Sequence, residues 1–247
     1  MYNPYSLEGK TILVTGASSG IGKATAIECS KLGASIIITG RNENRLEETL
    51  NQLSGSGHRM IVADLSDNNA IEALCNEVGT IDGLVNNAGI GFTKLISFIK
   101  EDDLESVFKA NAFSGMLLTK IFLKKKRINR EGSIVFVSSL ASYRSTPGNA
   151  IYAASKAAIE SFTRSCAVEC ADRMIRSNSV HPGMVETPLV SNGTISEEEL
   201  DLYRNNYPLK RFGKPEEVAW AIIYLLSDAS KWMTGSSIII DGGEILK

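Results

Sequence analysis

The sequence has few residues of the kinds that bind metals or form disulfide bonds. It contains two histidines and four cysteines, Cys29, Cys75, Cys166 and Cys170, and no two cysteines form a Cys-x-x-Cys pair. A metal site is therefore not expected, and the cysteines are interpreted as free thiols in a protein core. Free thiols suit a reducing compartment, so we expect a cytoplasmic protein.

Long apolar runs and a strong excess of one charge are also missing. No apolar run approaches the roughly 18–20 residues that a membrane-spanning helix needs. Residues 1–10 lack the basic and apolar segments of a secretory signal. The formal net charge is -2, which gives no general attraction to nucleic acid or to a membrane surface, so neither is an expected partner.

The remaining composition is that of an ordinary globular chain. Its 247 residues are 43% hydrophobic and 22% charged. This length allows one domain with a sizeable core, and neither an internal repeat nor a linker rich in proline or glycine divides the chain. We expect one domain over residues 1–247.

Short apolar segments alternate with longer helical segments along the chain. Strands are predicted at Thr11–Thr15, Ser35–Thr39, Arg59–Ala63, Gly83–Val85, Ser133–Ser138, Arg176–Val180 and Ser237–Asp241. Helices are predicted at about Ile21–Leu32, Glu43–Leu53, Asp67–Val78, Asp102–Lys126, Ile151–Ala171 and Pro215–Ser227. The alternation predicts an α/β fold, a doubly wound parallel sheet of about seven strands with helices on both faces.

A glycine-rich segment, Thr15 to Gly22, follows the first predicted strand; we call it the glycine turn. It reads Thr-Gly-Ala-Ser-Ser-Gly-Ile-Gly. Glycine lets the backbone turn tightly and lets a pyrophosphate reach backbone N–H groups at the positive end of the next helix. The spacing Gly-x-x-x-Gly-x-Gly differs from the commoner Gly-x-Gly-x-x-Gly. A plain strand–helix turn is the alternative, but the position after the first strand favours dinucleotide binding.

Tyr152 and Lys156 are four residues apart in a predicted helix. Residues at this spacing share a helix face, so the phenol and the ammonium would meet in one volume. A free phenol has a pKa of about 10, and a nearby cation lowers that pKa. The pair is thus a candidate general acid and base near neutral pH. Tyr-x-x-x-Lys also arises by chance in many helices, so the pair alone does not establish catalysis.

Three motifs in this order resemble the short-chain dehydrogenase/reductase family, in its single-domain branch. They are Thr15-Gly-x-x-x-Gly-x-Gly22, Asn86-Asn-Ala-Gly89 and Tyr152-x-x-x-Lys156, and the likeness runs from about Leu7 to Gly243. The resemblance implies a Rossmann-type fold. It also implies an enzyme that transfers a hydride between a nicotinamide and a carbonyl or secondary alcohol.

The resemblance assigns four catalytic residues. Tyr152 would donate the proton to the developing alkoxide, and Lys156 would lower the tyrosine pKa and bind the nicotinamide ribose. Ser139, 13 residues before the tyrosine, would hold the substrate carbonyl, with Ser138 as its neighbour. Asn111 resembles the helix asparagine that holds a water in the proton relay, although a lone asparagine in a helix is more often a local packing or backbone partner.

For the cofactor, the resemblance implies NADP(H). Gly40 stands where members that prefer NAD carry an acid, and Arg41 follows it. An arginine here suits the 2′-phosphate of NADP, whereas a solvated loop charge is the alternative. The full set of implied cofactor contacts comprises the glycine turn, the adenosine side and the nicotinamide side: Gly16, Ser18, Ser19, Gly20, Ile21, Gly22, Arg41, Asp64, Leu65, Asn87, Ala88, Gly89, Tyr152, Lys156, Pro182, Gly183, Val185 and Thr187.

The substrate is predicted from weaker signals. Residues 189–214 are the expected lid. Arg130 and Arg173 resemble arginines of reductases that act on acyl carrier protein, and with residues 124–127 they would form a basic patch at the mouth of the site. Basic residues near a helix C-terminus also favour the helix dipole, which is the alternative explanation.

Three functional hypotheses follow, in this order. The first is an NADP-dependent 3-oxoacyl-thioester reductase, and the second acts on a free sugar, polyol or steroid-like carbonyl. The third is a dinucleotide-binding sensor without turnover, against which the four catalytic residues argue. The resemblance also implies a homotetramer built through the helices at Asp102–Lys126 and Ile151–Ala171 and the C-terminal strand.

Overall fold

The structure is a computed structural model, and it describes residues 2–189 and 196–247. Seven parallel strands form one sheet in the order β3-β2-β1-β4-β5-β6-β7. Their bounds are β1 Thr11–Thr15, β2 Ser35–Gly40, β3 Arg59–Val62, β4 Ile81–Asn86, β5 Ile128–Val137, β6 Arg176–Pro182 and β7 Ser237–Ile240. The strand order reverses between β1 and β4, so the sheet is doubly wound and the predicted α/β fold is confirmed.

The helices lie between these strands. Their bounds are α1 Gly20–Lys31, α2 Glu43–Leu50, α3 Asn68–Val78, α4 Glu101–Phe108, α5 Ser114–Lys124, α6 Ala150–Glu169, α7 Glu197–Asn206 and α8 Pro215–Leu226. Local sequence explains several helix starts. The Asp67 side chain accepts a hydrogen bond from the backbone N–H of Asn69 and caps α3, and Pro215 occupies the first turn of α8, where its missing N–H costs nothing.

Buried side chains cover both faces of the sheet. Ile12 and Val14 of β1 belong to one apolar cluster with residues of α1 and α8, whereas Leu13 belongs to another with residues of α3, α5 and α6. Because successive side chains of a strand point to opposite faces, β1 contributes to both clusters. A sheet buried on both faces needs continuous apolar strands, and β1 and β2 have them.

Two predicted elements differ from the structure by more than three residues. The single helix expected at Asp102–Lys126 is two helices, α4 and α5, joined by a π-helical turn at Lys109–Phe113. Strand β5 begins at Ile128 instead of Ser133, because the exposed polar residues 129–131 extend the strand beyond its apolar part. Neither change alters the order of the sheet.

The expected lid at 189–214 contains a helix that sequence reasoning did not predict. Helix α7 starts at a capping box in which Ser196 and Glu199 bind each other's backbone N–H groups. Residues 190–195 of the lid lie outside the described residues. In the described parts of the chain, no helix is long and apolar enough to cross a membrane.

Candidate active site

The glycine turn connects β1 to α1 and packs against the segment that follows β4. Gly16 and Gly20 have φ angles of 63° and 54°, a region that favours glycine. A Cβ on Gly16 would lie 2.9 Å from the Cα of Ala88, and one on Gly22 would lie 2.4 Å from the amide nitrogen of Asn87. These glycines are therefore required for packing as well as for any phosphate contact.

The N-terminus of α1 suits an anionic ligand. Ser19 precedes the helix and its side chain makes no capping hydrogen bond. The first N–H groups of α1 are thus left for a pyrophosphate, next to the Ser18 side chain, which lies beside Gly40 at the end of β2. Ile21 packs against the core below the turn. The residues present fit a dinucleotide.

Asn87 has a structural role that its predicted cofactor contact did not include. Its side-chain amide donates to the backbone carbonyls of Thr15 (2.9 Å) and Gly16 (3.2 Å). The hydroxyl of Thr15 in turn accepts from the N–H groups of Asn87 and Ala88. The motif predicted no such role for Thr15, which fixes the glycine turn to the end of β4.

Two cations and one carboxylate lie where the resemblance places adenosine. Arg41 is exposed just beyond β2, and Asp64 is exposed beyond β3. A hydrogen bond from the backbone N–H of Ser66 lowers the pKa of Asp64, and the charges of Arg41 and Lys109 lower it further. Both cations therefore act on the place where the resemblance puts adenosine; Lys109 was not predicted. Leu65 is buried in the core.

The predicted catalytic side chains come together between β5 and α6. Lys156 is buried, and its Nζ donates to the carbonyl oxygen of Val137 at 2.9 Å. Ser138 donates its hydroxyl to the carbonyl of Lys156 at 3.0 Å, which ties α6 to the end of β5. The Tyr152 ring centroid lies 5.8 Å from the Lys156 Nζ, so the two residues share a helix face as predicted.

The pKa of Tyr152 differs from the sequence-based expectation. Burial raises the pKa of the phenol, and a hydrogen bond with the Ser139 side chain partly opposes that rise. The net direction is upward, whereas a pKa lowered by Lys156 was predicted; the Lys156 ammonium donates to the Val137 carbonyl. The phenol is therefore protonated at neutral pH and is linked to Ser139.

Asn111 lies in the π-helical turn, and its buried side chain binds protein groups on both sides. Its Oδ1 accepts from the N–H of Ile90 at 2.7 Å, and its Nδ2 donates to the Ile90 carbonyl at 3.0 Å and to the Ser155 hydroxyl at 3.2 Å. The side chain is thus a backbone partner, as in the alternative given above, but its partner Ile90 is 21 residues away and not local. A Cβ on Gly89 would lie 2.9 Å from this Oδ1, so Gly89 adjoins Asn111.

The segment Pro182–Thr187, which we call the clamp turn, follows β6. The N–H of Gly183 donates to the carbonyl of Ile240, and Val185 is buried in the core. The methyl group of Thr187 lies 3.1 Å from where a Cβ of Gly20 would stand. The clamp turn therefore meets the glycine turn; its contact with a nicotinamide stays a prediction.

The lid is anchored to the clamp turn by Tyr207. This buried side chain accepts a hydrogen bond from the N–H of Met184 at 2.9 Å and packs edge-on against Phe212, with ring centroids 5.6 Å apart. Leu200 of α7 completes the same apolar cluster. The described part of the lid is therefore packed onto one wall of the candidate site.

The basic patch does not lie at the mouth of this chain's own site. Arg130 is near the start of β5, and Arg173 donates to the carbonyl of Ile128, the first residue of that strand. Ser139 lies beyond the other end of β5, which has 10 residues. At about 3.3 Å per residue, roughly 30 Å separate the two ends. The expected location was wrong because both arginines lie at the amino end of β5, whereas Ser139 follows the carboxyl end of that strand.

Comparison with known proteins shows similarity over nearly the whole chain. The family model described as enoyl-(acyl carrier protein) reductase matches residues 16–244. The 3-oxoacyl-(acyl-carrier-protein) reductase FabG of Thermotoga maritima is 39% identical over 246 residues, covering 97% of this chain and 99% of the relative. The reductase of the same name from Aquifex aeolicus is 38% identical, covering 96% and 98%.

Solved structures show the same fold. A protein described as a candidate gluconate dehydrogenase from Agrobacterium tumefaciens superposes with a TM-score of 0.92 at 30% identity, covering 99% of both chains. A structure described as a short-chain dehydrogenase/reductase family protein gives a TM-score of 0.87 at 34% identity, covering 97% of this chain and 99% of that one.

Proposed function

This chain belongs to the short-chain dehydrogenase/reductase family, and on that premise we propose that it is an NADPH-dependent reductase of 3-oxoacyl thioesters. Family membership makes it an oxidoreductase. The observation that carries the proposal is the hydrogen-bonded pair of Ser139 and Tyr152, next to Lys156, whose Nζ lies 3.4 Å from where a Cβ of Gly89 would stand. Relatives with 3-oxoacyl reductase names match nearly every residue of the chain and support the substrate class.

In the proposed mechanism, the chain's own residues position the carbonyl and move one proton. The bound nicotinamide would supply the hydride. Ser139 would donate a hydrogen bond to the substrate oxygen, and the protonated phenol of Tyr152 would give its proton to that oxygen as negative charge develops. The raised pKa of Tyr152 keeps this proton in place before the reaction.

Lys156 and Asn111 would support the same step. The ammonium of Lys156 reaches the space beside Gly89, where a ribose hydroxyl could accept a hydrogen bond from it. Asn111 would act through the π-helical turn rather than through its side-chain amide, which binds Ile90. A π-helical turn shifts the backbone hydrogen-bond register and frees a carbonyl that could hold a relay water.

Two charges favour NADP(H) over NAD(H) in this proposal. Arg41 follows Gly40, where an acidic side chain would repel a 2′-phosphate, and Lys109 contributes positive charge to the same region. The phosphate would receive charge-assisted hydrogen bonds, each worth about 1.5–3 kcal/mol.

An acyl carrier protein is the proposed donor of the thioester, and a homotetramer is the proposed assembly. Arg130 and Arg173 lie at the amino end of β5, away from Ser139. A role in carrier binding therefore requires that they face the site of another copy. Exposed apolar side chains on the α4–α5 side, among them Leu104 and Phe113, favour such contacts between copies. A monomer in light scattering would contradict this assembly.

The proposed function is tested by NADPH consumption with a 3-oxoacyl thioester. The wild-type protein should turn over, and Tyr152→Phe should lose about 100- to 10,000-fold in kcat while still binding NADPH. Retained turnover in the variant would refute the assignment of Tyr152. Wild-type turnover of free sugar acids instead of thioesters would favour the alternative, to which the fold shared with the candidate gluconate dehydrogenase points.

A further inference from the structure

His181 is a fully buried histidine on β6 that has no part in the proton transfer described above. Its Nδ1 lies 3.0 Å from the hydroxyl oxygen of Ser142 and 3.3 Å from the carbonyl oxygen of Ser139. Its Nε2 lies 2.8 Å from the hydroxyl oxygen of Ser179. The imidazole therefore joins β6 to the segment Ser139–Tyr143, which we call the serine turn.

The partners define the protonation of the ring. A carbonyl oxygen can only accept, and the Ser142 hydroxyl already donates to the same Ser139 carbonyl at 2.8 Å. Nδ1 must then carry the hydrogen, which it donates toward this pair of oxygens. Nε2 accepts from the Ser179 hydroxyl. This neutral tautomer satisfies both ring nitrogens, and burial, which lowers the pKa of His181, favours the neutral form.

The serine turn has its own internal hydrogen bonds, and several of them meet at Ser139. The carbonyl of Ser139 accepts from the N–H of Ser142 at 3.1 Å, and its side-chain oxygen accepts from the N–H of Ala141 at 3.1 Å. The Ser139 hydroxyl hydrogen is then left for Tyr152. The Tyr143 ring packs against the imidazole with centroids 4.9 Å apart. His181 ties the Ser139 end of this turn to β6, and a side-chain hydrogen bond joins Tyr143 at its other end to Ser237 of β7.

We propose that His181 is a positioning residue, which holds the serine turn so that the hydroxyl of Ser139 points at Tyr152 and at the substrate oxygen. The proposal rests on the proposed function of Ser139 and adds to it a residue that acts only through Ser139. Loss of the Nδ1 hydrogen bond frees the turn to shift, and small displacements of a group that orients substrate reduce kcat strongly.

Two substitutions of His181 separate hydrogen bonding from packing. His181→Asn places an amide N–H near the position of Nδ1 and keeps the donor to Ser139. His181→Phe keeps the ring volume and removes every hydrogen bond. We expect kcat for a 3-oxoacyl thioester to fall about 10- to 100-fold in His181→Phe and to recover most of that loss in His181→Asn. Ser142→Ala is a smaller change, which removes the hydroxyl beside Nδ1 of His181. It should lower kcat severalfold.

A double-mutant cycle with Ser139→Ala distinguishes positioning from general destabilisation. If His181 acts through Ser139, then His181→Phe causes no further loss of kcat in the Ser139→Ala background. Equal losses in both backgrounds, or a His181→Phe kcat within twofold of the wild type, would overturn the proposal. If Ser139→Ala alone keeps full kcat, it is the proposed function of Ser139 that fails.

A spectroscopic readout needs no substrate. The 13Cζ chemical shift of Tyr152 in labelled protein, assigned with Tyr152→Phe, reports the hydrogen bond from Ser139. We expect the same change of shift in Ser139→Ala and His181→Phe, and a return toward the wild-type value in His181→Asn. If His181→Phe does not fold, Ser142→Ala gives the measurement instead. A Tyr152 shift that is the same in all these variants as in the wild type would contradict the proposal.

Discussion

The ammonium of Lys156 is hydrogen-bonded to the carbonyl of Val137, 2.9 Å away, inside the protein. Val137 is the last residue of β5, so this bond ties the lysine of α6 to the strand end that leads to Ser139. Burial lowers the pKa of Lys156 to about 8. Keeping this buried lysine charged therefore lowers the free energy of unfolding, and we expect a bound ligand to use the charge.

The stability cost of Lys156 has a defined pH dependence. Its pKa falls from the ordinary lysine value of 10.5 to about 8 in the folded protein, so below pH 8 the folded protein carries the full cost, on the order of 3 kcal/mol. Between pH 8 and pH 10.5 the unfolded chain binds more protons, so stability rises with pH.

We therefore expect Lys156→Met to raise the free energy of unfolding at pH 7 by up to about 3 kcal/mol while abolishing turnover. Urea unfolding at pH 7 and pH 10 measures the gain, which should shrink at the higher pH. A less stable Lys156→Met protein at pH 7 would show that the hydrogen bond to Val137 outweighs desolvation.

Arg41 should determine the choice of cofactor. Arg41→Ala should weaken NADPH binding about 10- to 150-fold, the equivalent of one charge-assisted hydrogen bond, and leave NADH binding nearly unchanged. Fluorescence titration with both reduced cofactors measures the effect. The matched control is Arg130→Ala, because Arg130 is also exposed and lies near the amino end of β5. Equal affinities of the unmutated protein for NADPH and NADH would disprove the preference.

The basic patch should act on the site of a neighbouring copy. Mixed oligomers can be made from a Tyr152→Phe subunit and an Arg130→Ala/Arg173→Ala subunit. The active subunits then lack the arginines and the inactive subunits supply them. We expect kcat/KM for a carrier-bound thioester to be higher in the mixture than in the pure double variant, with a small free thioester unaffected. Identical kinetics of the double variant and the wild type on the carrier substrate would remove the role of the patch.

Tyr207 should couple the lid to the clamp turn. Tyr207→Phe leaves the N–H of Met184 without its acceptor and removes a hydrogen bond to Glu244. We expect a loss of about 1–3 kcal/mol in the free energy of unfolding and a higher KM for the thioester. Tyr203→Phe, on the exposed side of α7, serves as the control. An unchanged KM would show that the lid does not need this anchor.

Much of the fold could be predicted because local and global signals agree. The runs Thr11–Thr15 and Ser35–Thr39 are apolar, short and flanked by turns, and the structure places both inside the sheet, with a strand on each side. The i, i+4 spacing of Tyr152 and Lys156 was sufficient to put them on one helix face. Such features depend on residues that are close in sequence.

The features that could not be predicted depend on tertiary contacts. Nothing local at 109–113 breaks the helix, and the π-helical turn is where Asn111 reaches the distant backbone of Ile90. The burial of Lys156 and its bond to Val137 likewise require the packed sheet. Helix α7 does carry a sequence signal, the Ser196–Glu199 capping box, which the polar character of the lid obscures. The location of Arg130 could have been predicted correctly, because Arg130 precedes the predicted fifth strand and Ser139 follows it.

The measurement that tests the central claim most directly compares two substrates in one preparation. The kcat/KM for NADPH-dependent reduction of a carrier-bound 3-oxoacyl thioester is set against that for NADP-dependent oxidation of gluconate. We predict a value at least about 100-fold higher for the thioester, roughly 2.7 kcal/mol of transition-state preference. Efficient gluconate oxidation with no thioester reduction would contradict the account.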